Sequence, residues 1–254
     1  MSSIESASIL GVIPARWASS RFPGKSLHII AGKPLVQHVW ERCAEARLLD
    51  AVVVATDDER IRACVDGFGG RVCMTAAAHP SGTDRVAEAA SIAGEFSHVI
   101  NVQGDEPMLS AELIDDLARK LRQDPGIDMI TAANVLDDEA EWNDPNVVKV
   151  VIDATGRALY FSRSPIPFRR NDVDALPNYR HNGIYGFRTE FLRRFVAWEP
   201  SPLELAEGLE QLRALENGAQ IHVVVTKEVA LGVDTPGQAD EIDAIMRTSR
   251  YPTA

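Results

Sequence analysis

The sequence predicts an α/β protein, with a mostly parallel sheet covered by helices on both faces and an antiparallel piece inserted or appended. Three observations carry that expectation. Short β-branched runs alternate with helical patterns through the first half of the chain, the rhythm of β-α-β units. Near residue 145 the rhythm breaks into a hairpin pattern and then an irregular, proline-containing stretch. The 254 residues, 45% of them hydrophobic, are enough for one full core, and no repeat or linker divides them.

Taken in order, Ile9 to Ile13 reads as the first strand, and LHIIAGKP as a short hairpin-like extended segment. Pro34 suits a first helical position, where a missing N–H costs nothing, and opens a helix over PLVQHVWERCAEARLL. AVVVAT is a buried strand, closed by Asp57 or Asp58 as a helix cap. RVCMT is a short strand, TDRVAEAASIAG a helix ending at Gly94, and HVINVQGDEP a central strand running into a turn. Ser110 caps SAELIDDLARKLRQ, which stops before Pro125, and DMITAAN is the next strand. NVVKVVIDATGRALYFS folds back at its Thr-Gly pair as a hairpin. After the irregular stretch, GIYGFR is a strand and TEFLRRFVAW a helix. SPLELAEGLEQLRALENG reads as one amphipathic helix with Leu205, Leu209 and Leu212 on a shared face and Gly218 as its stop. QIHVVVT is a strand, and TPGQADEIDAIMR the last helix.

The bulk numbers narrow the function. A net charge of -11 argues against general nucleic-acid binding, which needs basic patches, but leaves room for a local anion pocket. Cys43, Cys64 and Cys73 are odd in number and lack C-x-x-C spacing, so a disulfide framework or zinc site is not expected, and a reducing cytoplasm is. The N-terminal residues have no basic n-region or long apolar stretch, and no run approaches the ~18 apolar residues of a membrane span.

The stretch PARWASSRFPGKS ends like a phosphate-binding P-loop, yet Ser19 stands where the opening glycine belongs. Pro23 lacks an N–H to wrap phosphate, and the next helix starts too late, so a P-loop kinase is a poor fit. What remains is a strand ending at Pro14 and Ala15, followed by three cations, Arg16, Arg21 and Lys25. Loops at the carboxyl ends of parallel strands carry the ligand sites of open α/β sheets. A triphosphate or pyrophosphate clamp is one reading of these cations, and a solvated basic loop is the other. NVQGDEP brings Asp105 and Glu106 out at that same sheet edge, and GVDTP brings Asp234 before the last helix. Carboxylates there suit Mg²⁺, which binds one or two of them plus substrate phosphates; a plain turn and a helix cap are the competing readings. A second polar group, Arg163, Arg169, Arg170, Arg180, His181, Asn182 and Tyr185, suits a polyhydroxylated acid, although each member alone reads as ordinary exposed polarity and His181 alone as a structural histidine. Glu204, Glu207 and Glu210 read mostly as a solvated helix face, with Glu210 and Gln211 within reach of sugar hydroxyls.

In this order IPARWASSRFPGKSL, HPSGTDRVAEA, NVQGDEP, KVVIDATGRALYFSRSPIPF, HNGIYGFR, SPLELAEGLEQLRALENG and GVDTP closely resemble the 3-deoxy-manno-octulosonate cytidylyltransferase (CMP-KDO synthetase) family. The resemblance spans Ile9 to the last helix. It implies a Rossmann-like nucleotidyltransferase sheet forming a single domain over residues 1–254, in which 145–200 build an antiparallel sugar-binding and dimerisation portion. It implies the reaction of CTP with 3-deoxy-D-manno-octulosonate (KDO) to give CMP-KDO and diphosphate for lipopolysaccharide biosynthesis, in a cytoplasmic, Mg²⁺-dependent homodimer. By the same resemblance Arg16 and Lys25 hold the triphosphate, Ser81, Gly82, Arg85 and Gln103 lie in the nucleotide pocket, and Asp105 and Asp234 hold Mg²⁺. Arg163, His181, Tyr185, Glu210 and Gln211 line the sugar pocket. Trp17 and Ser20 replace a common Tyr and Thr, and Asn182 an often apolar residue. The alternatives are activation of a related sugar acid (8-amino-KDO or sialic acid) and a non-catalytic nucleotide sensor.

Overall fold

The computed structural model describes residues 7–18, 22–171, 176–229 and 231–248. The chain runs β1 (Ile9–Pro14), a 3-10 turn (Lys25–Leu27), the short strands β2 (Ile29–Ile30) and β3 (Lys33–Pro34), α1 (Leu35–Glu45), β4 (Ala51–Thr56), α2 (Glu59–Gly67), β5 (Val72–Met74) and α3 (Gly82–Ala93). Then come β6 (His98–Asn101), α4 (Ala111–Gln123), β7 (Met129–Val135), α5 (Glu139–Asn143), β8 (Lys149–Ile152), β9 (Ala158–Ser162) and β10 (Tyr179–Arg188). The chain closes with α6 (Thr189–Ala197), α7 (Pro202–Glu207), α8 (Gln211–Glu216), β11 (Ile221–Thr226) and α9 (Pro236–Thr248).

The main sheet has the order β11-β7-β10-β6-β1-β4-β5. β1 lies parallel between β4 and β6, and β7 and β11 are parallel to each other. β10 runs antiparallel between β6 and β7, and the β8–β9 hairpin is attached to it through β8. The α/β architecture is therefore the expected one, and β6 takes the central place foreseen for the strand that leads to Asp105. Alternation along β1 divides the core: Leu10 and Val12 point to a cluster shared with α3 and α6, whereas Ile9 and Ile13 point to one shared with α1, α2 and α4.

Three elements differ from the sequence expectation. Pro34 lies in β3 and caps α1 with extended backbone (φ -58, ψ 144), so the helix begins one residue later. It also ends early, at Glu45, because Asp115 of α4 accepts the N–H groups of Arg47 and Leu48 at 2.9 and 2.8 Å and draws the chain out of helical conformation. The long helix expected from Ser201 is two short ones, broken at Gly208, whose left-handed φ of +62° ends α7. Leu209 and Leu212 are buried there, but Leu205 is 71% exposed, so the three leucines do not share a face. The strand expected at GIYGFR is the ten-residue β10, which begins at Tyr179 and carries a register shift between Asn182 and Tyr185.

Candidate active site

A cavity of about 300 Å³ opens at the carboxyl ends of β1 and β6. Pro14, Ala15 and Arg16 leave β1 along one wall, and Gln103, Gly104 and Asp105 leave β6 along the next. Lys25 enters from the 3-10 turn, and its Nζ donates to Asp105 Oδ2 at 2.6 Å, to Asp234 Oδ1 at 3.3 Å and to the Val233 carbonyl at 3.1 Å. A backbone bond from Val233 N to Asp105 O, 2.8 Å, holds the two acidic segments together. Acids far apart in sequence thus meet at one ammonium. No group of three or more metal-ligating His, Cys, Asp or Glu side chains occurs among the described residues. Two converging carboxylates beside a cavity fit a magnesium that takes its remaining ligands from substrate phosphates and water rather than from an all-protein cage.

The loop from Arg16 to Lys25 is not a P-loop. Only a three-residue 3-10 turn follows Gly24, and α1 starts ten residues after Lys25 begins that turn. Trp17 ties the loop down: its carbonyl accepts Gly24 N–H at 2.9 Å, and its ring lies under the Arg60 guanidinium, 3.3 Å from the centroid. Arg21 lies outside the described residues. On the opposite wall Ser81 caps α3, its Oγ accepting from Thr83 and Asp84 N–H groups, and Gly82 opens that helix. Arg85, 4% exposed, pairs with Asp57 at 3.2 Å and donates to Thr75 Oγ1, while Asp58 caps α2. Gly104 lines the cavity as well, and so do Ser26 and His79, to which the sequence reading gave no role. His79 is held by Glu88, and a lone histidine in a turn gives no sequence signal of that partnership.

Gly104 is required by close approach. A Cβ there would sit 2.5 Å from the Pro14 carbonyl oxygen. Gly104→Ala is expected to push the two strand ends apart, costing about 1–3 kcal/mol of stability by overpacking. Displacement of Asp105 by about 1 Å is expected to cost on the order of 100-fold in turnover, which steady-state kinetics on the folded variant will read.

Arg163, His181, Tyr185, Glu210 and Gln211 do not line this cavity. Most of them gather beside it around β10. His181 hydrogen-bonds Thr131 Oγ1 at 2.9 Å, and its ring lies 5.4 Å from Tyr185 and 5.0 Å from Phe161. One link joins this group to the cavity, Gln103 Nε2 donating to the Gly183 carbonyl at 3.2 Å, and a second joins it to α3 next to Gly82, Thr83 Oγ1 donating to Glu210 Oε2 at 2.5 Å. Glu210 Oε1 and Gln211 Nε2 are buried and make no hydrogen bond among the described residues. The Arg163 guanidinium donates to the carbonyls of Glu207 (2.7 Å) and Pro145 (2.9 Å), and among the described residues no carboxylate pairs with it. Arg169 and Arg170 are exposed, Arg180 pairs with Glu141 at 3.2 Å, and Asn182 is buried with Nδ2 toward the Glu228 carbonyl. The acids expected on a solvated face are engaged instead: Glu204 pairs with Arg213, and Glu207 accepts from Ser162 Oγ and Arg163 N–H. The break at Gly208 turns these side chains inward.

Burial keeps two members of this group, His181 and Tyr185, neutral. Burial pushes the His181 imidazole down to about 3, and burial, then the Glu210 and Glu106 charges, raise the Tyr185 phenol well above its ordinary value. Glu106, missed as a buried group, is raised to about 8 by burial and then by Asp105. The His181 shift has a stability consequence. The unfolded chain takes up a proton below about pH 6.5 and the native imidazole does not, so stability falls as pH drops. Urea unfolding at pH 7 and pH 4.5 is expected to show about 2 kcal/mol less acid destabilisation in His181→Gln than in the parent protein.

A mostly parallel sheet whose strand ends carry a cation–carboxylate cluster defines an α/β ligand-binding protein with its site at the carboxyl edge of the sheet. A cytidylyltransferase family model matches residues 10–221. The 3-deoxy-manno-octulosonate cytidylyltransferase of Geobacter sulfurreducens is 50% identical over 244 residues, which are 92% of this chain and 97% of the relative. That of Pelobacter propionicus is 51% identical over 240 residues, covering 90% and 93%. A solved CMP:2-keto-3-deoxy-manno-octonic acid synthetase in complex with CTP is 41% identical, with a TM-score of 0.91 over 95% of this chain and 99% of its own. The chain belongs to the 3-deoxy-manno-octulosonate cytidylyltransferase family.

Proposed function

We infer that the chain transfers CMP from CTP to KDO and releases pyrophosphate. The observation that carries this reading is the meeting of Lys25, Asp105 and Asp234 in the cavity that Arg16 also lines, within a chain so similar to enzymes named for that reaction. In the reaction the anomeric hydroxyl oxygen of KDO bonds to the α-phosphorus of CTP and gives up its proton to solvent, and the bond from that phosphorus to the bridging oxygen of the β-phosphate breaks, with its electron pair leaving on pyrophosphate. Arg16 and Lys25 hold the triphosphate and offset the charge on the leaving pyrophosphate. Asp105 and Asp234 would hold Mg²⁺, which when bound supplies neutralising charge at the phosphates. Ser81, Gly82, Arg85 and Gln103 enclose the nucleoside. Arg163 offers its charge to the carboxylate of KDO, and neutral His181 and Tyr185, with Glu210 and Gln211, hydrogen-bond its hydroxyls. Residues 145–200 act as the sugar-binding and dimerisation portion of a single domain.

No helix of the described residues is long and apolar enough to cross a membrane, in keeping with soluble substrates and a proposed cytoplasmic homodimer. The test is pyrophosphate release with CTP and KDO, 8-amino-KDO or sialic acid, each with and without Mg²⁺. Release dependent on KDO and Mg²⁺ is the expected result. Binding of CTP without release for any sugar acid would mark a sensor and overturn the reading.

A further inference from the structure

Lys149 carries an inference that goes one layer behind the sugar-binding group. It lies in β8, opposite Ser162 of β9 and Arg180 of β10, and it is fully buried. A strand position enclosed in this way is ordinarily apolar, because a buried ammonium is costly unless each of its three N–H groups is bonded. Here each is: Lys149 Nζ donates to the carbonyls of Asp144 (2.9 Å), Val147 (2.6 Å) and Arg163 (2.5 Å).

The choice of these three acceptors is the informative feature. Residues 144 and 147 close one turn, through Val147 N–H to Asp144 O at 3.1 Å, and Pro145 lies inside it. The Pro145 carbonyl is one of the two that hold the Arg163 guanidinium, at 2.9 Å. The ammonium therefore grips both ends of the turn that orients Arg163 and also the Arg163 backbone. It fixes the distance between the arginine and one of its two acceptors. Because those acceptors are neutral carbonyls, the guanidinium keeps its net charge for an anionic ligand.

We propose that Lys149 is a positioning residue for the acceptor sugar: through three backbone carbonyls its ammonium holds Arg163 and the 144–147 turn in register, so that the arginine's charge is presented to the acceptor's carboxylate. This rests on the assignment of Arg163 to KDO made above. Nothing in the arrangement touches the nucleotide cavity, so the effect is confined to one substrate.

The test uses Lys149→Met, which keeps the bulk of the chain and removes the donors. The expected result is a fall of about 100-fold in kcat/KM for KDO, with KM for CTP within about twofold of the parent. If Lys149 acts through Arg163, the Lys149→Met, Arg163→Met double variant is no worse than Arg163→Met alone. Should Lys149→Met fail to fold, Lys149→Gln, which retains two N–H donors, carries the same comparison. An unchanged kcat/KM for KDO, a parallel rise in KM for CTP, or losses that multiply in the double variant would each overturn the inference. Arg163→Met with an unchanged kcat/KM for KDO would sink the Arg163 assignment and the inference with it. A defective Arg163→Met beside a normal Lys149→Met would sink the inference alone.

Discussion

Asp105→Asn is expected to lower kcat by about 10²–10³ while the protein stays folded. The substitution keeps shape and one acceptor oxygen but removes the charge that faces Lys25 at 2.6 Å. Its stability cost is small for a physical reason. The Lys25–Asp105 pair is largely buried, with side-chain exposures of 16% and 27%. The asparagine leaves an acceptor oxygen for the ammonium, so the cost is that of weakening one charged hydrogen bond, on the order of 1 kcal/mol, rather than that of an orphaned buried charge. Lys25 also keeps its bonds to Asp234 and the Val233 carbonyl. Kinetics and a thermal melt on the same sample separate the two quantities. Near-normal turnover would remove Asp105 from the chemistry, and a melt lowered by many degrees would make it a folding residue instead.

Lys25→Met is expected to lower kcat/KM for CTP by about 10²–10³, because it removes a preorganised charge from the triphosphate. The same variant has a second consequence of opposite sign. The ammonium lies between the two acids, at 2.6 and 3.3 Å, and there competes with a divalent cation for them. Removing it leaves two carboxylates facing one space. A unit charge at 4 Å is worth roughly 4 kcal/mol at an effective dielectric of 20, so Mn²⁺ affinity without nucleotide is expected to rise by about tenfold or more. Calorimetric titration with Mn²⁺ reads it. A lower affinity would mean that Lys25 organises the acids rather than competing for them.

Much of the sheet was legible because its parallel strands β1, β4, β5, β6, β7 and β11 are short segments with β-branched residues, bounded by turn residues, a local signal. The cations after β1 and the acids after β6 were legible as well, since ligand loops follow parallel strand ends. What local pattern misled was the segment after Ser201. Its leucine spacing suits one helix, yet a left-handed Gly208 divides it and turns Glu204, Glu207 and Glu210 toward partners 9, 44 and 127 residues away in the chain. Lys149 was equally silent, because a lysine in a strand reads as exposed and its three carbonyls belong to a turn and to the residue that follows β9.

By itself the amino-acid order determined the α/β class, the family and which residue types stand at the strand ends, because these are properties of local spacing and ordered motifs. Only the tertiary structure decided that Asp105 and Asp234 share the Lys25 ammonium, that His181 stays neutral, and that the Arg163 guanidinium is held by carbonyls rather than carboxylates. Those outcomes depend on distance and burial between segments far apart in the chain, and electrostatic energy follows separation in space, not position along the backbone.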